Sequence, residues 1–335
     1  MATEHFHSRL TLAQELAWEG RGRDAEEVLA AIDATGLSET EQMAVALPRA
    51  ANQFWMLSEP ERATAYLRNV RNRVTEPVGR ATLDALSATF AMNAGTPVRA
   101  LEIAGAVLED PDADTQAIAW AASTASLCSA RTGRFDQVEG LAERAVAAEH
   151  PGLLRFTIGL ARITALTMTG RPDEAEQVAR DCAVATQPSG AIGDVLLARV
   201  LMTDGRDSEA AGLLSSAAPT LDRTGYSWGP LALMLLATAL ARRGELADAA
   251  TALSRAESRH GTKSALFAPE LGVARAWRLA ATGDRHGAIS AIRQAAQMAE
   301  RSRQSAVAVQ VWRDAVELGD THADGPLARL TAELG

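Results

Sequence analysis

Lysine is almost absent from this chain: Lys263 is the only one, and the formal net charge is −9 at pH 7. Positive charge is carried by scattered arginines, with no basic block. Phosphate backbones need a concentrated positive face, so direct nucleic-acid binding is not expected. Cysteine is scarce as well. Cys128 and Cys182 stand far apart, and so few thiols fit a reducing cytoplasm. No apolar run follows a basic start, which argues against a secretory leader. The longest apolar run, residues 231–241, is too short to span a bilayer, so no membrane association is expected.

Catalytic signatures are missing too. A P-loop needs Gly-Lys followed by Ser or Thr, with a glycine upstream, so that backbone and Lys cradle phosphates together. The segment around Lys263 (HGTKS, residues 260–264) has the wrong spacing. The sequence contains no His-Glu-x-x-His and no Cys-x-x-Cys. His5 and His7 form a His-x-His pair, read as a solvated tail rather than a metal site. No catalytic residue, metal site or cofactor is therefore expected, and the chain reads as a non-enzyme.

What is present is a repeat. Gly20, Ser58, Gly95, Gly133, Gly170, Gly205, Gly244 and Gly283 recur at intervals of roughly 37 residues. Five residues after each mark stands Ala or Val, as in Ala25, Ala100, Val138 and Ala249. Small residues also recur seven before the mark (Ala13, Ala88, Ala198, Ala276), and small or β-branched ones twelve after it (Val70, Ala145, Cys182, Ala256). Between marks lie two amphipathic stretches joined by a polar turn. A turn glycine suits a left-handed helix C-terminus, and small residues at fixed offsets let paired helices approach closely. Four before the mark, Leu16, Phe54, Leu166, Leu201, Leu240 and Leu279 fill the seam within each pair; Ala91 and Ser129 break that row, which predicts thinner packing in the third and fourth repeats. One such repeat cannot bury its apolar face alone, so neighbours must stack. The fold expected is all-α: a helical-hairpin solenoid, a right-handed superhelix of about eight to nine repeats spanning residues 1–335, with residues 319–335 a degenerate terminal repeat or linker.

Residues 133–145 (GRFDQVEGLAERA) and 170–179 (GRPDEAEQVA) resemble the second helix of tetratricopeptide repeats. The repeat here is about three residues longer than that family's usual period of about 34. In place of the family's aromatic near the start of the first helix stand Arg9, Leu47, Asp84 and Ala122. A narrower resemblance is to the sensor segment of large ATP-binding transcription regulators of the LuxR type. Residues 150–156 (HPGLLRF), 226–231 (YSWGPL), 264–270 (SALFAPE), 283–288 (GDRHGA) and 304–308 (QSAVA) carry it. That resemblance implies flanking ATPase and DNA-reading parts, a small inducer or protein partner received by the repeats, and self-association. On that reading the chain is a fragment of a longer bacterial protein. The alternative is a stand-alone scaffold that docks peptide segments of partner proteins.

In such a solenoid the first helix of each repeat lines the concave wall. Positions pointing outward from those helices give Asn52, Trp55, Trp120, Thr164, Arg199, Arg242, Glu270 and Trp277 as candidate ligand- or partner-binding residues. Trp offers an apolar face with one donor; Arg can pair with a carboxylate or phosphate; Asn and Thr can bond hydroxyls. Trp18 falls on the same register, and Asn93 and Arg131 would extend a partial ladder of polar side chains. Inter-repeat packing is the competing role for the tryptophans, and a solvated face for the arginines. Two links depart from the repeat, residues 225–230 (GYSWGP) and 260–269, and are either longer inter-repeat loops or elements that close one end of the groove.

Overall fold

The computed structural model describes residues 2–33, 35–149, 152–184 and 190–334, without the side chains of residues 2–5 and 18. His150, Pro151 and the side chains of His5 and Trp18 thus lie outside the described residues. Among the described residues the structure is helical throughout, with 18 α-helices and no strand. The first pairs are α1 (Ala2–Trp18) with α2 (Gly22–Ala30), α3 (Glu39–Ala51) with α4 (Pro60–Arg71), and α5 (Pro77–Asn93) with α6 (Pro97–Glu109). Next come α7 (Thr115–Thr132) with α8 (Phe135–Ala147), α9 (Leu154–Met168) with α10 (Pro172–Ala183), and α11 (Gly190–Thr203) with α12 (Asp207–Asp222). The chain continues with α13 (Trp228–Arg242) and α14 (Leu246–Arg259), α15 (Ala268–Ala281) and α16 (Arg285–Arg301), then α17 (Ser305–Glu317) and α18 (Asp324–Leu334). This is the tetratricopeptide-like solenoid.

The repeat marks are the turns inside the pairs. All eight carry positive φ, including the one that is not glycine: Ser58 sits at φ 56°. A left-handed residue ends the first helix and releases the chain into the second. At Ser58 the approach differs, because α3 runs into a π-helical turn, Asn52–Met56. Glu59 N reaches back to Gln53 O, so the Trp55 carbonyl has no partner on its own helix. π-turns of this kind recur at functional sites.

The small-residue columns are buried as their spacing demands. Ala25, Ala63, Ala100, Ala175, Ala210 and Ala249 have no exposed surface. First helices pack on their neighbours in succession, α5 on α7 on α9 and α13 on α15, and so form the inner layer. The thinner packing predicted for the fourth repeat is not found. Every residue from 121 to 131 in α7 is buried, Ser129 completely, because α17 covers α7 from the far side of the superhelix. The superhelix therefore closes on itself after about five repeats, and the contact between its turns is a second interface that a repeat period does not encode.

Cys128 lies in that enclosed helix, and burial pushes its thiol up to about 12. A thiol so far from its thiolate is unreactive. Iodoacetamide at pH 8 is expected to leave Cys128 unmodified in the native protein and to alkylate it fully in denaturant. Native-state labelling at the rate of a free thiol would contradict the enclosure of α7.

Candidate functional site: a concave wall closed by a polar seam

Where the superhelix meets itself, C-terminal ends of early first helices face N-terminal ends of late ones. Arg131, at the end of α7, is the largest fully buried side chain. Its Nη1 donates to Glu270 Oε1 at 2.9 Å and its Nη2 to Glu270 Oε2 at 3.2 Å. Nη2 also reaches Leu266 O at 2.8 Å, and Nε donates to Gln304 Oε1 at 2.5 Å. One guanidinium thus joins the fourth repeat to the eighth and ninth, in the bidentate geometry that only Arg provides. Its plane also lies over the Phe267 ring, 5.2 Å from the centroid. Burial alone would push the Glu270 carboxyl up, but the Arg131 and Arg199 charges prevail and hold it below the usual carboxylate range.

Two further bridges continue this seam. Ser227 Oγ sits 2.7 Å from both Asn93 Oδ1 and Lys263 O. Lys263 Nζ donates to Trp55 O at 2.9 Å, the carbonyl freed by the π-turn, and to Gly225 O at 2.8 Å. Burial is the main cause that brings its ammonium down to about 8. Asn93 and Arg131, which the sequence offers as rungs for a ligand, are thus engaged within the protein.

The seam separates two cavities on the concave wall. The first, about 320 Å³, is bounded on one side by α5, α7, the π-turn and the start of α9, and on the other by the two irregular links. Trp55 and Trp120 come from the first side; Tyr226, Trp228 and Phe267 come from the second. These are five of the chain's 14 aromatic residues (6 Trp, 2 Tyr and 6 Phe), and none of the lining residues is charged. Behind Trp55 the rings continue: Trp55 meets Phe90 edge-on with centroids 5.4 Å apart, and Phe90 stacks on Phe54 at 4.2 Å.

The second cavity, about 310 Å³, lies along α9, α11, α13, α15 and α17 and, unlike the first, carries charged side chains among its apolar ones. Thr164, Arg199, Arg242, Glu270 and Asp314 line it. Arg242 donates from Nη2 to Asp314 Oδ1 at 2.5 Å, and its guanidinium lies 4.5 Å above the Trp277 ring. The Trp277 indole donates to the same carboxylate oxygen at 3.1 Å, so Trp277 backs this wall rather than lining it. Burial, opposed by Arg242, raises the Asp314 carboxyl. Arg199 is held loosely, with Glu270 Oε1 and Gln310 Oε1 both at 3.4 Å. Burial and the nearby Arg131 charge lower its affinity for its proton, against the pull of Glu270. A third recess, about 570 Å³, runs along α1, α3, α5 and α7 and shares Trp120 with the aromatic cavity.

Of the eight candidates, Trp55 and Trp120 meet in the aromatic cavity, while Thr164, Arg199, Arg242 and Glu270 meet in the charge-bearing one. Asn52 lies off all three: it is buried, and its Nδ2 donates to Gly22 O at 2.8 Å, tying the first two repeats together. Phe267, Asp314 and Gln310 come from outside the candidate list. Asp314 and Gln310 stand in the ninth repeat, beyond the last of the eight marks, where the register gave no position to read. Among the described residues no group of His, Cys, Asp and Glu is arranged to hold a metal ion, and no helix is long and apolar enough to cross a membrane.

No protein-family model matches the sequence, and no curated protein matches it. The fold does have solved counterparts. A Rap protein complexed with competence and sporulation factor superposes with a TM-score of 0.68 at 12% identity, over 99% of each chain. A chain of the APC/C hetero-tetramer Cut9–Hcn1 superposes with a TM-score of 0.55 at 15% identity, over 92% of this chain and 58% of that one. Identities this low show a shared fold.

Proposed function

We propose that the chain is a non-catalytic docking module that holds an extended segment of a partner protein against its concave wall. The observation that carries this reading is the placement of an uncharged aromatic cavity and a charge-bearing one on successive parts of one inner helix. Leu154 and Thr157 of α9 line the aromatic cavity, and Ile163, Thr164 and Thr167 line the charge-bearing one. From Thr157 to Thr164 the helix rises about 10 Å, a distance that roughly three extended residues span. A segment with an apolar anchor and a charged or polar group about three residues away fits both. Support also comes from the fold neighbour that is complexed with competence and sporulation factor.

The regulator-segment reading stands second. It adds a small inducer, self-association, and flanking ATPase and DNA-reading parts, and it draws on the sequence phrases alone; the neighbours favour docking.

Panning a random peptide library on the immobilised chain tests the docking reading. Selected peptides are expected to converge on an apolar and a charged position about three residues apart. Charge reversal by Arg199→Glu is expected to weaken them by about 2 kcal/mol, roughly 30-fold. No consensus, or a consensus indifferent to Arg199→Glu, would contradict it.

A further inference from the structure

We infer that the aromatic cavity takes an uncharged aromatic side chain of the docked segment, which deepens the docking reading and rests on it. Charge is what the cavity excludes first. None of its lining residues is ionisable at neutral pH, and the nearby Lys263 and Arg131 are committed elsewhere. Lys263 is tied to the Trp55 and Gly225 carbonyls, and Arg131 to Glu270 and Gln304. An entering charge would be stripped of water with no counter-ion to meet it.

The polar side chains at the seam end of the cavity are already engaged. Asn93 Oδ1 already faces Ser227 Oγ, Asn93 Nδ2 donates to Thr89 O at 2.9 Å, and Thr89 Oγ1 pairs with Thr124 Oγ1 at 3.0 Å. What the wall offers is ring surface on two sides. Trp55 and Tyr226 stand tilted with centroids 5.8 Å apart, and Trp228 and Phe267 stand tilted at 6.5 Å. A ring inserted between them gains edge and face contacts beyond simple area burial, which an aliphatic side chain does not. At about 320 Å³ the space lies at the lower end of ligand cavities, the right scale for one side chain rather than an extended ligand.

Because Tyr226, Trp228 and Phe267 reach the cavity from across the seam, the site exists only while the superhelix is closed. A repeat fragment carrying one side would not retain it.

The test uses the full chain labelled with 5-fluorotryptophan and read by fluorine NMR, its resonances assigned by single Trp→Phe variants. N-acetyl-phenylalaninamide is expected to move Trp55, Trp120 and Trp228 saturably and to leave Trp277 and Trp312 in place. N-acetyl-leucinamide is expected to bind about tenfold more weakly, and N-acetyl-lysinamide not at all. Thr157→Phe, which fills the cavity from α9, should abolish the shifts while the Trp312 resonance and the melting temperature stay unchanged. If that variant disturbs the fold, Leu154→Phe makes the same test from the same helix. Equal binding of the leucine and phenylalanine amides overturns the proposal, as do shifts confined to Trp277 or shifts that survive both filled variants. Ring binding without any peptide consensus counts against the docking reading and leaves the ring site standing. A consensus without an aromatic residue does the reverse.

Discussion

Replacing Arg131 by alanine is expected to destabilise the chain by about 3–5 kcal/mol, the range for removing one partner of a buried ion pair. The loss falls on what remains. Glu270 keeps its charge in a buried site, and Leu266 O and Gln304 Oε1 lose their donor. Replacing the pair together, Arg131→Met with Glu270→Leu, removes the stranded charge and is expected to recover at least half of that loss, since well-packed apolar replacements of buried pairs are often neutral. Urea denaturation of the two variants measures both. A single replacement that changes stability by less than about 1 kcal/mol would mean that the seam is not a supporting interface. The pH dependence has a definite sign. The Glu270 carboxyl lies below its unfolded value of about 4.3, so its contribution is complete above that value and is lost as pH falls through the folded one. In Arg131→Ala the depression is relieved, so Glu270 no longer adds a loss in acid, and the stability gap between the variant and the parent is expected to narrow as pH falls below about 4.3.

The second large effect is expected at Gly20. Its φ is +78°, and a Cβ there would stand 2.5 Å from the carbonyl oxygen of Arg223, at the end of α12 in the sixth repeat. Gly170 makes a matched control, with φ +75° and nothing within 4 Å of the added carbon. Gly170→Ala should lose only the left-handed penalty, about 1 kcal/mol or slightly more. Gly20→Ala should lose that and a further 1–3 kcal/mol for forcing two backbones apart. Equal thermal shifts for the two variants would show that the first and sixth repeats do not meet in solution.

Both expectations concern the contact between turns of the superhelix, which was the part of the fold hardest to read from sequence. The repeat was legible because its cause is local: a left-handed turn residue, small side chains at fixed offsets, and two amphipathic stretches. Even Ser58 was recognisable as a glycine stand-in by register alone, and it adopts positive φ. Closure is not local. Arg131 reads as a surface cation at a helix end, and nothing adjacent in sequence identifies Glu270 and Gln304 as its partners. A signal did exist, since residues 115–130 contain no charged side chain. A helix without a polar face is buried all round, and in a two-layer solenoid that requires a third neighbour, here α17. The same reasoning applies to α13, where residues 228–241 are all buried.

The site divides along the same line. Register brought out Thr164, Arg199, Arg242 and Glu270 but not Gln310 or Asp314 of the same cavity, because successive first helices present positions to one groove and the last two lie beyond the eighth mark. The aromatic cavity needed both the groove and the closure. Trp55 and Trp120 follow from register, whereas Tyr226, Trp228 and Phe267 lie in segments that break the repeat and approach from the opposite turn. Asn52 satisfied the register and still faces inward, because the π-turn that begins at Asn52 re-aims its side chain toward Gly22.

The most direct measurement is a photo-cross-link map. A selected peptide carrying benzoylphenylalanine at its apolar anchor would be irradiated on the intact chain and the adduct located by mass spectrometry. The expected adducts lie on Trp55, Trp120, Tyr226, Trp228 or Phe267. Adducts on the outer surfaces of the second helices, with none on the concave wall, would contradict the account.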